Sequence, residues 1–175
     1  MEFVSKLPYK VATLLYCFNE RGEILLLERA QEPNRGFWSP CGGKLRTDEG
    51  ESPYACACRE AREETGQRLH SRDLHLTGLI SEHGYQGQTH WLMFLFEVRP
   101  KLTTLPPVHA EGRFQFFPRE ALDELKLPQT DREKIAAPCS RYICTPSIAV
   151  YCGLPSAPAL VNPSARTPPV DVPAT

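Results

Sequence analysis

Between residues 10 and 18, Val11, Thr13 and Leu15 alternate with Ala12, Leu14 and Tyr16, and both sets are largely apolar, which predicts a strand. Asn19-Glu20-Arg21-Gly22 reads as a turn and residues 23–29 as a second strand, so the pair is expected to form a β-hairpin. Pro33, Gly36 and Pro40 interrupt residues 30–41, which read as a loop. A helix is predicted over residues 53–65, with Ser52 as N-cap, Pro53 in the first helical position and Gly66 as the stop. Its packing stripe is expected on Tyr54, Cys58, Ala61 and Thr65. Residues 74–81 and 91–98 read as strands. The second is apolar on both faces and belongs at the centre of its sheet. Residues 114–117 read as a short strand, and residues 118–125 and 130–137 as short helices.

After Pro138 the pattern fades. Residues 139–175 form an extension rich in Pro, Ser and Ala, partly disordered, behind a domain expected over residues 1–138. Residues from about 153 onward look like a flexible tail, while residues 139–152 either pack on the domain or add a strand. A net charge of −1 offers no global attraction for a nucleic acid polymer. No apolar run reaches the roughly 18 residues of a membrane span, and no signal peptide is visible. Seven cysteines without a repeated CxxC spacing suit a reduced, cytoplasmic chain. On a helix, Cys56 and Cys58 would point roughly 200° apart, so they are expected to pack and not to share a zinc ion.

The candidate chemistry lies on the predicted helix. Glu60, Glu63 and Glu64 fall at i, i+3 and i+4, so their carboxylates are expected to converge. Like charges at this spacing destabilise a helix by roughly 0.2–0.5 kcal/mol per pair. A hard divalent cation would offset that cost. The alternative is a solvated acidic face balanced by Arg59 and Arg62.

The surroundings of this helix resemble the Nudix box, G-x5-E-x7-R-E-U-x-E-E-x-G-U. The chain supplies Gly43, then Glu51, then Arg59-Glu60-Ala61-Arg62-Glu63-Glu64-Thr65-Gly66-Gln67. Seven residues, not five, separate Gly43 from Glu51; the extra pair falls in the loop of residues 46–50, where it can bulge outward. Ala61 and Gln67 replace larger aliphatic residues, and no carboxylate is lost. The resemblance implies an α/β fold, the Nudix α/β/α sandwich with a mixed sheet. It also implies a hydrolase that cleaves a nucleoside diphosphate linkage with Mg2+, or Mn2+ in its place. It assigns the metal to Gly42 (through its carbonyl), Glu60, Glu63 and Glu64, with Glu51 and Arg59 orienting the ligands. Glu63, Glu60 or the loop residue Glu111 would accept the water proton, although Glu111 also reads as an ordinary exposed acid.

Downstream, Glu111-Gly112-Arg113-Phe114-Gln115-Phe116-Phe117 and Leu127-Pro128-Gln129-Thr130-Asp131 resemble MutT-type nucleoside triphosphate diphosphatases, which act on oxidised purine nucleotides such as 8-oxo-dGTP. This implies a contact from Asp131, or Thr130, to the base edge. Arg29 and Lys44 are candidates for the phosphates, Arg35 reads equally as solvated, and Trp38, Tyr85, Trp91 and Phe116 are candidates for stacking. Alternatives are an ADP-ribose or nucleotide-sugar hydrolase, disfavoured by Glu82 where a proline is usual, and a dinucleoside polyphosphate hydrolase, which Tyr85 keeps open. A non-catalytic nucleotide-binding module is the alternative of another class. The partner is expected to be a small nucleotide, with no nucleic acid polymer and no membrane, in a monomer or homodimer.

Overall fold

The computed structural model describes residues 6–32, 34–108, 110–128, 131, 149–154 and 157–160. Among the described residues nine strands fall in two sheets: β1 (Tyr9–Tyr16), β2 (Ile24–Arg29), β3 (Trp38–Ser39), β4 (Cys41–Lys44), β5 (Leu74–Tyr85), β6 (Thr89–Val98), β7 (Gly112–Phe117), β8 (Ala149–Leu154) and β9 (Ala157–Leu160). The larger sheet has the order β4-β1-β6-β5-β8-β9, and the smaller β3-β2-β7. The larger sheet is mixed: β1 runs parallel to β6, and β4 and β5 run antiparallel to their neighbours β1 and β6. This is the mixed-sheet α/β/α architecture implied by the resemblance.

β6 lies inside the sheet, as its two apolar faces predict. Met93 and Leu95 enter one core with Ala12, Tyr16, Leu26 and Ile80. Phe96 and Val98 enter a second core on the other face with Leu15, Leu25, Phe114 and Ala57. Burying aliphatic and aromatic side chains on both faces stabilises the sheet by about 1.5–3 kcal/mol for each fully buried one. Helix α1 (Pro53–Glu60) covers the second face.

The expected β1–β2 hairpin is reduced to its turn. Asn19 Oδ1 accepts the main-chain N–H groups of Arg21 and Glu23, both at 3.0 Å, and a bridge joins Phe18 to Ile24. Beyond that point the strands part: β1 takes β4 and β6 as partners, and β2 takes β3 and β7. The parallel β1–β6 ladder, in register from Tyr9↔His90 to Tyr16↔Glu97, wins over the local pairing. The loop expected over residues 30–41 contains β3 and runs into β4. Residues 119–124 form a 3-10 helix within the short helix predicted there. The helix predicted over 130–137 lies outside the described residues apart from Asp131.

The C-terminal extension departs from the expected tail. β8 pairs parallel to β5 from Gly78↔Ala149 to Glu82↔Gly153, and β9 pairs antiparallel to β8. Residues 153–154 and 157–160 are therefore in the sheet. Period-two patterning is weak in such Ala- and Pro-rich segments, which is why the sequence did not mark them. Among the described residues no helix is long and apolar enough to cross a membrane.

Candidate active site

The acidic helix begins as its cap residues predict: Ser52 Oγ accepts the Ala55 N–H at 3.2 Å, and Pro53 follows the cap. Its stripe is rotated from the expected one. Cys56, Ala57, Ala61, Glu64 and Thr65 are buried and Tyr54 is exposed, its ring edge-on to Phe96 at 4.8 Å. Small side chains at 57 and 61 let the helix lie close on the sheet. The last turn, Ala61–Thr65, is wound as a π-turn and ends at Gly66 with φ 75°. A π-turn holds more residues than an α-turn, so the side chains after Ala61 fall at altered angles. The expected convergence of Glu60, Glu63 and Glu64 on one face is consequently split. Glu64 turns in and is only 6% exposed, while the Glu63 side chain is 44% exposed.

Arg59 holds the remaining carboxylates. Its guanidinium grips Glu51 with two bonds, Nε to Oε1 at 2.8 Å and Nη2 to Oε2 at 3.0 Å. Nη1 donates to Glu60 Oε1 at 2.6 Å and to Glu63 Oε2 at 3.1 Å. Nη2 also donates to the Lys44 carbonyl at 3.1 Å, tying helix to β4. The Arg59 bond holds the Glu51 carboxyl down at about 2, with the Arg46 main-chain N–H helping and burial opposing. Arg46 adds a weaker pair with Glu63 at 3.9 Å. The lengthened loop stands out as an exposed 3-10 turn, Thr47–Glu49, pinned at its base where Glu51 N–H donates to the Arg46 carbonyl.

The glycine pair faces these acids. Gly42 N–H donates to Glu64 Oε2 at 2.9 Å. A Cβ on Gly43 would stand 2.2 Å from Glu60 Oε1, and one on Gly42, with φ 142°, would stand 2.1 Å from the Thr13 carbonyl oxygen. Only glycine permits this approach at both positions. Burial pushes the Glu64 carboxyl up to about 8; Glu60 and Glu111 push the same way, and the Gly42 N–H and Cys41 thiol oppose. Burial likewise raises Glu60, against Arg59, with Glu63 and Glu111 adding to the rise. Glu111 is thus electrostatically part of the cluster although it lies 47 positions after Glu64. Its loop is anchored to the end of β2 by the Ala30 N–H on its carbonyl at 2.8 Å.

All donors at this cluster are oxygens, which suits a hard cation, and a buried Glu64 with a raised carboxyl is a group that such a charge would relieve. Among the described residues no three His, Cys, Asp or Glu side chains are drawn together around one point. Glu60 and Glu63 each give one carboxylate oxygen to Arg59, Glu60 through Oε1 and Glu63 through Oε2. The thiols do not compete. Burial raises Cys56 to about 11 and raises Cys58, and the Cys17 thiol, with burial, raises Cys41. Cys56 is buried and Cys58 packs against the second core, as their spacing predicts.

On the other face of the sheet, beside Gly42 and Gly43, lies a cavity of about 650 Å³. Arg29, Lys44 and Asp131 all line it, with Tyr85 and Trp91. Trp38 is not a stacking surface: it is buried in the first core, edge-on to Phe117 at 4.7 Å. Phe116 packs against the second core. Arg35 is exposed, and Thr130 lies outside the described residues. Burial pushes the Asp131 carboxyl up to about 7, with Glu82 adding and Arg29 opposing. Lys10 and Glu82 also line the cavity. Neither carries a local motif: Lys10 is a cation at the start of an apolar strand, and Glu82 stands where ADP-ribose hydrolases of this family usually have a proline.

The chain matches the NUDIX domain over residues 8–137 and belongs to that family: it is a Nudix hydrolase, of the class that cleaves nucleoside diphosphate linkages and generally uses a divalent metal ion. Among solved structures it is similar to a MutT protein from Methanosarcina mazei Go1, with 23% identity, 80% of this chain and 99% of that chain covered, and a TM-score of 0.67. It is also similar to a MutT NUDIX hydrolase from Burkholderia pseudomallei, with 27% identity, 73% and 95% covered, and a TM-score of 0.58. A third similar fold is the NUDIX domain of Shewanella oneidensis NrtR complexed with ADP ribose, with 13% identity, 79% and 90% covered, and a TM-score of 0.62.

Proposed function

We propose that the chain hydrolyses a nucleoside triphosphate to the monophosphate and pyrophosphate, with an oxidised purine nucleotide such as 8-oxo-dGTP as the leading substrate. The observation that carries this reading is Asp131. It is 8% exposed and lines the cavity, with burial and Glu82 raising its carboxyl and Arg29 opposing. A buried carboxyl at a cavity wall is costly to charge, and N–H donors on the edge of a purine base would offset that cost. The acidic cluster lies across the sheet from that cavity, joined to it through Gly42 and Gly43.

Glu60, Glu63 and Glu64, with the Gly42 carbonyl, would hold a magnesium ion, and manganese would serve in its place. When bound, the ion supplies charge neutralisation on the phosphates and a more acidic water. Arg59 and Glu51 orient the ligands. Water oxygen attacks a phosphorus of the α–β linkage, the bridging oxygen leaves with one of the two products, and the water proton passes to a carboxylate. Glu63, Glu60 and Glu111 are the acceptors within the cluster. Arg29 and Lys44 contact the phosphates, and Asp131 reads the base.

Tyr85 at the cavity wall, its hydroxyl accepting from Asn34 Nδ2 at 3.0 Å, favours dinucleoside polyphosphates as the second reading. A panel of 8-oxo-dGTP, the ordinary dNTPs, ADP-ribose and a dinucleoside tetraphosphate, each with magnesium, separates the two. Monophosphate plus pyrophosphate from a triphosphate is the expected result. Cleavage of ADP-ribose alone would overturn the reading.

A further inference from the structure

We propose that Lys10 and Lys44, both set over the indole of Trp91, form a subsite for the free terminal phosphate of the nucleoside triphosphate. The inference rests on the triphosphate reading above and deepens it, because it names the feature of the substrate that this chain selects. Lys10 Nζ lies 5.6 Å from the Trp91 ring centroid and Lys44 Nζ 5.9 Å from it. All three residues line the cavity next to Gly42 and Gly43.

Strand register explains why they meet. Lys10 is the cross-strand partner of Trp91 on β6, and Trp91 is the partner of Glu82 on β5. Lys44 on β4 is the partner of Ala12, two residues beyond Lys10 and so on the same face of β1. Along the cavity floor the strands carry Lys44 on β4 and Lys10 on β1, then the Trp91 ring, then Glu82 on β5; Asp131 feels the charges of Glu82 and of Arg29, which also lines the cavity. A nucleotide has the matching polarity: a polyanionic chain at one end and a base with N–H donors at the other.

Neither ammonium group makes an ion pair or hydrogen bond among the described residues. Both lysines are solvent-exposed while the Trp91 ring is half-buried, and a cation resting on a ring at such a site gains only about 1 kcal/mol. A charge-assisted bond to a phosphate oxygen is stronger, so both side chains can leave the ring for a phosphate at little cost. A free terminal phosphate carries close to two negative charges at neutral pH, against one on a bridging phosphoryl group, and so matches two lysines. ADP-ribose has no terminal phosphate and would leave the pair unused.

The chain has two tryptophans, so a Trp38→Phe background isolates Trp91 emission. In that background, with magnesium absent, inorganic tripolyphosphate is expected to change the emission. Its affinity should fall about tenfold in Lys10→Ala and return in Lys10→Arg, as expected for a lost charge-assisted contact. With magnesium, Lys10→Ala should lower kcat/KM for the triphosphate about tenfold through KM, and for ADP-ribose by no more than about twofold. Tripolyphosphate that leaves Trp91 emission unchanged, or equal losses on both substrates, would overturn the subsite. If the wild-type chain cleaves no triphosphate yet binds tripolyphosphate through Lys10, the subsite stands and the hydrolysis reading fails.

Discussion

Arg59 sets the resting state of the acidic cluster. A single guanidinium engages Glu51, Glu60 and Glu63, while Glu64 is left to the Gly42 N–H. Glu63 is the most exposed of the three box glutamates and can be neutralised without opening a hole. Glu63→Gln is therefore expected to keep its fold, with stability within about 0.5 kcal/mol, and to lose at least about a hundredfold in magnesium-dependent turnover. Unaltered turnover would sink the assignment. Asp131 gives a prediction against pH. Its folded carboxyl titrates near 7 instead of 3.8, pushed up by burial and by Glu82 and held back by Arg29. Between those values the folded chain keeps a proton that the unfolded chain has released, so stability falls as pH rises through that window and the deficit is constant above it. Asp131→Asn removes the deficit. Its melting temperature should rise relative to wild type between about pH 4 and 7 and stay above it thereafter. Parallel melting curves across that range would show that the carboxyl is not held as described.

At the scale of elements, the two box glycines separate the site from the scaffold. A methyl group on Gly43 meets the end of the Glu60 side chain, which can swing away, whereas one on Gly42 meets the Thr13 main chain, which cannot. Gly42 also holds φ 142°. Gly43→Ala should fold with nearly the wild-type melting temperature and lose activity, because Glu60 is displaced. Gly42→Ala should lose about 1–3 kcal/mol of stability, since strain and overlap add. A Gly43→Ala enzyme with wild-type kcat would separate Glu60 from the chemistry. The same elements show what could be read from the sequence. Caps, the Gly66 stop and the glutamate spacing are local, so the helix and its acids were legible before any fold was known. The buried stripe was legible in part: Ala61 and Thr65 are buried and Cys58 packs on the second core as expected, but the small Cys56 and Ala57 are buried in place of the bulky Tyr54. The hairpin's parting was not legible, since it depends on β1 preferring the distant β6. The cavity was the least legible part. Lys10, Arg29, Glu82 and Asp131 come together only through long-range pairings, and no short spacing announces them.

Over the whole molecule, residues beyond the family match at 8–137 complete the sheet. β8 lies along β5 from Gly78 to Glu82, and β5 reaches the cavity through Glu82 and Tyr85. Without β8, the main-chain donors and acceptors of this stretch of β5 would face solvent as an open edge, which invites pairing with another copy. Among the described residues β9 forms the edge, and its Pro158 lacks a main-chain N–H and makes a poor template for further pairing. The extension thus covers the edge of β5 next to the Glu82 side of the cavity. A chain ended after residue 148 is expected to melt several degrees lower: each lost hydrogen bond is worth about 0.5–1.5 kcal/mol net, and each kcal/mol moves the midpoint by about 2–4 °C at this size. It should also self-associate more strongly in sedimentation velocity at rising concentration. Its loss of affinity should be larger for the complete nucleotide than for inorganic tripolyphosphate, because β5 carries Glu82 and not the lysines. A truncated chain with the same melting temperature, the same sedimentation and the same ratio of affinities would place the extension outside both the fold and the site.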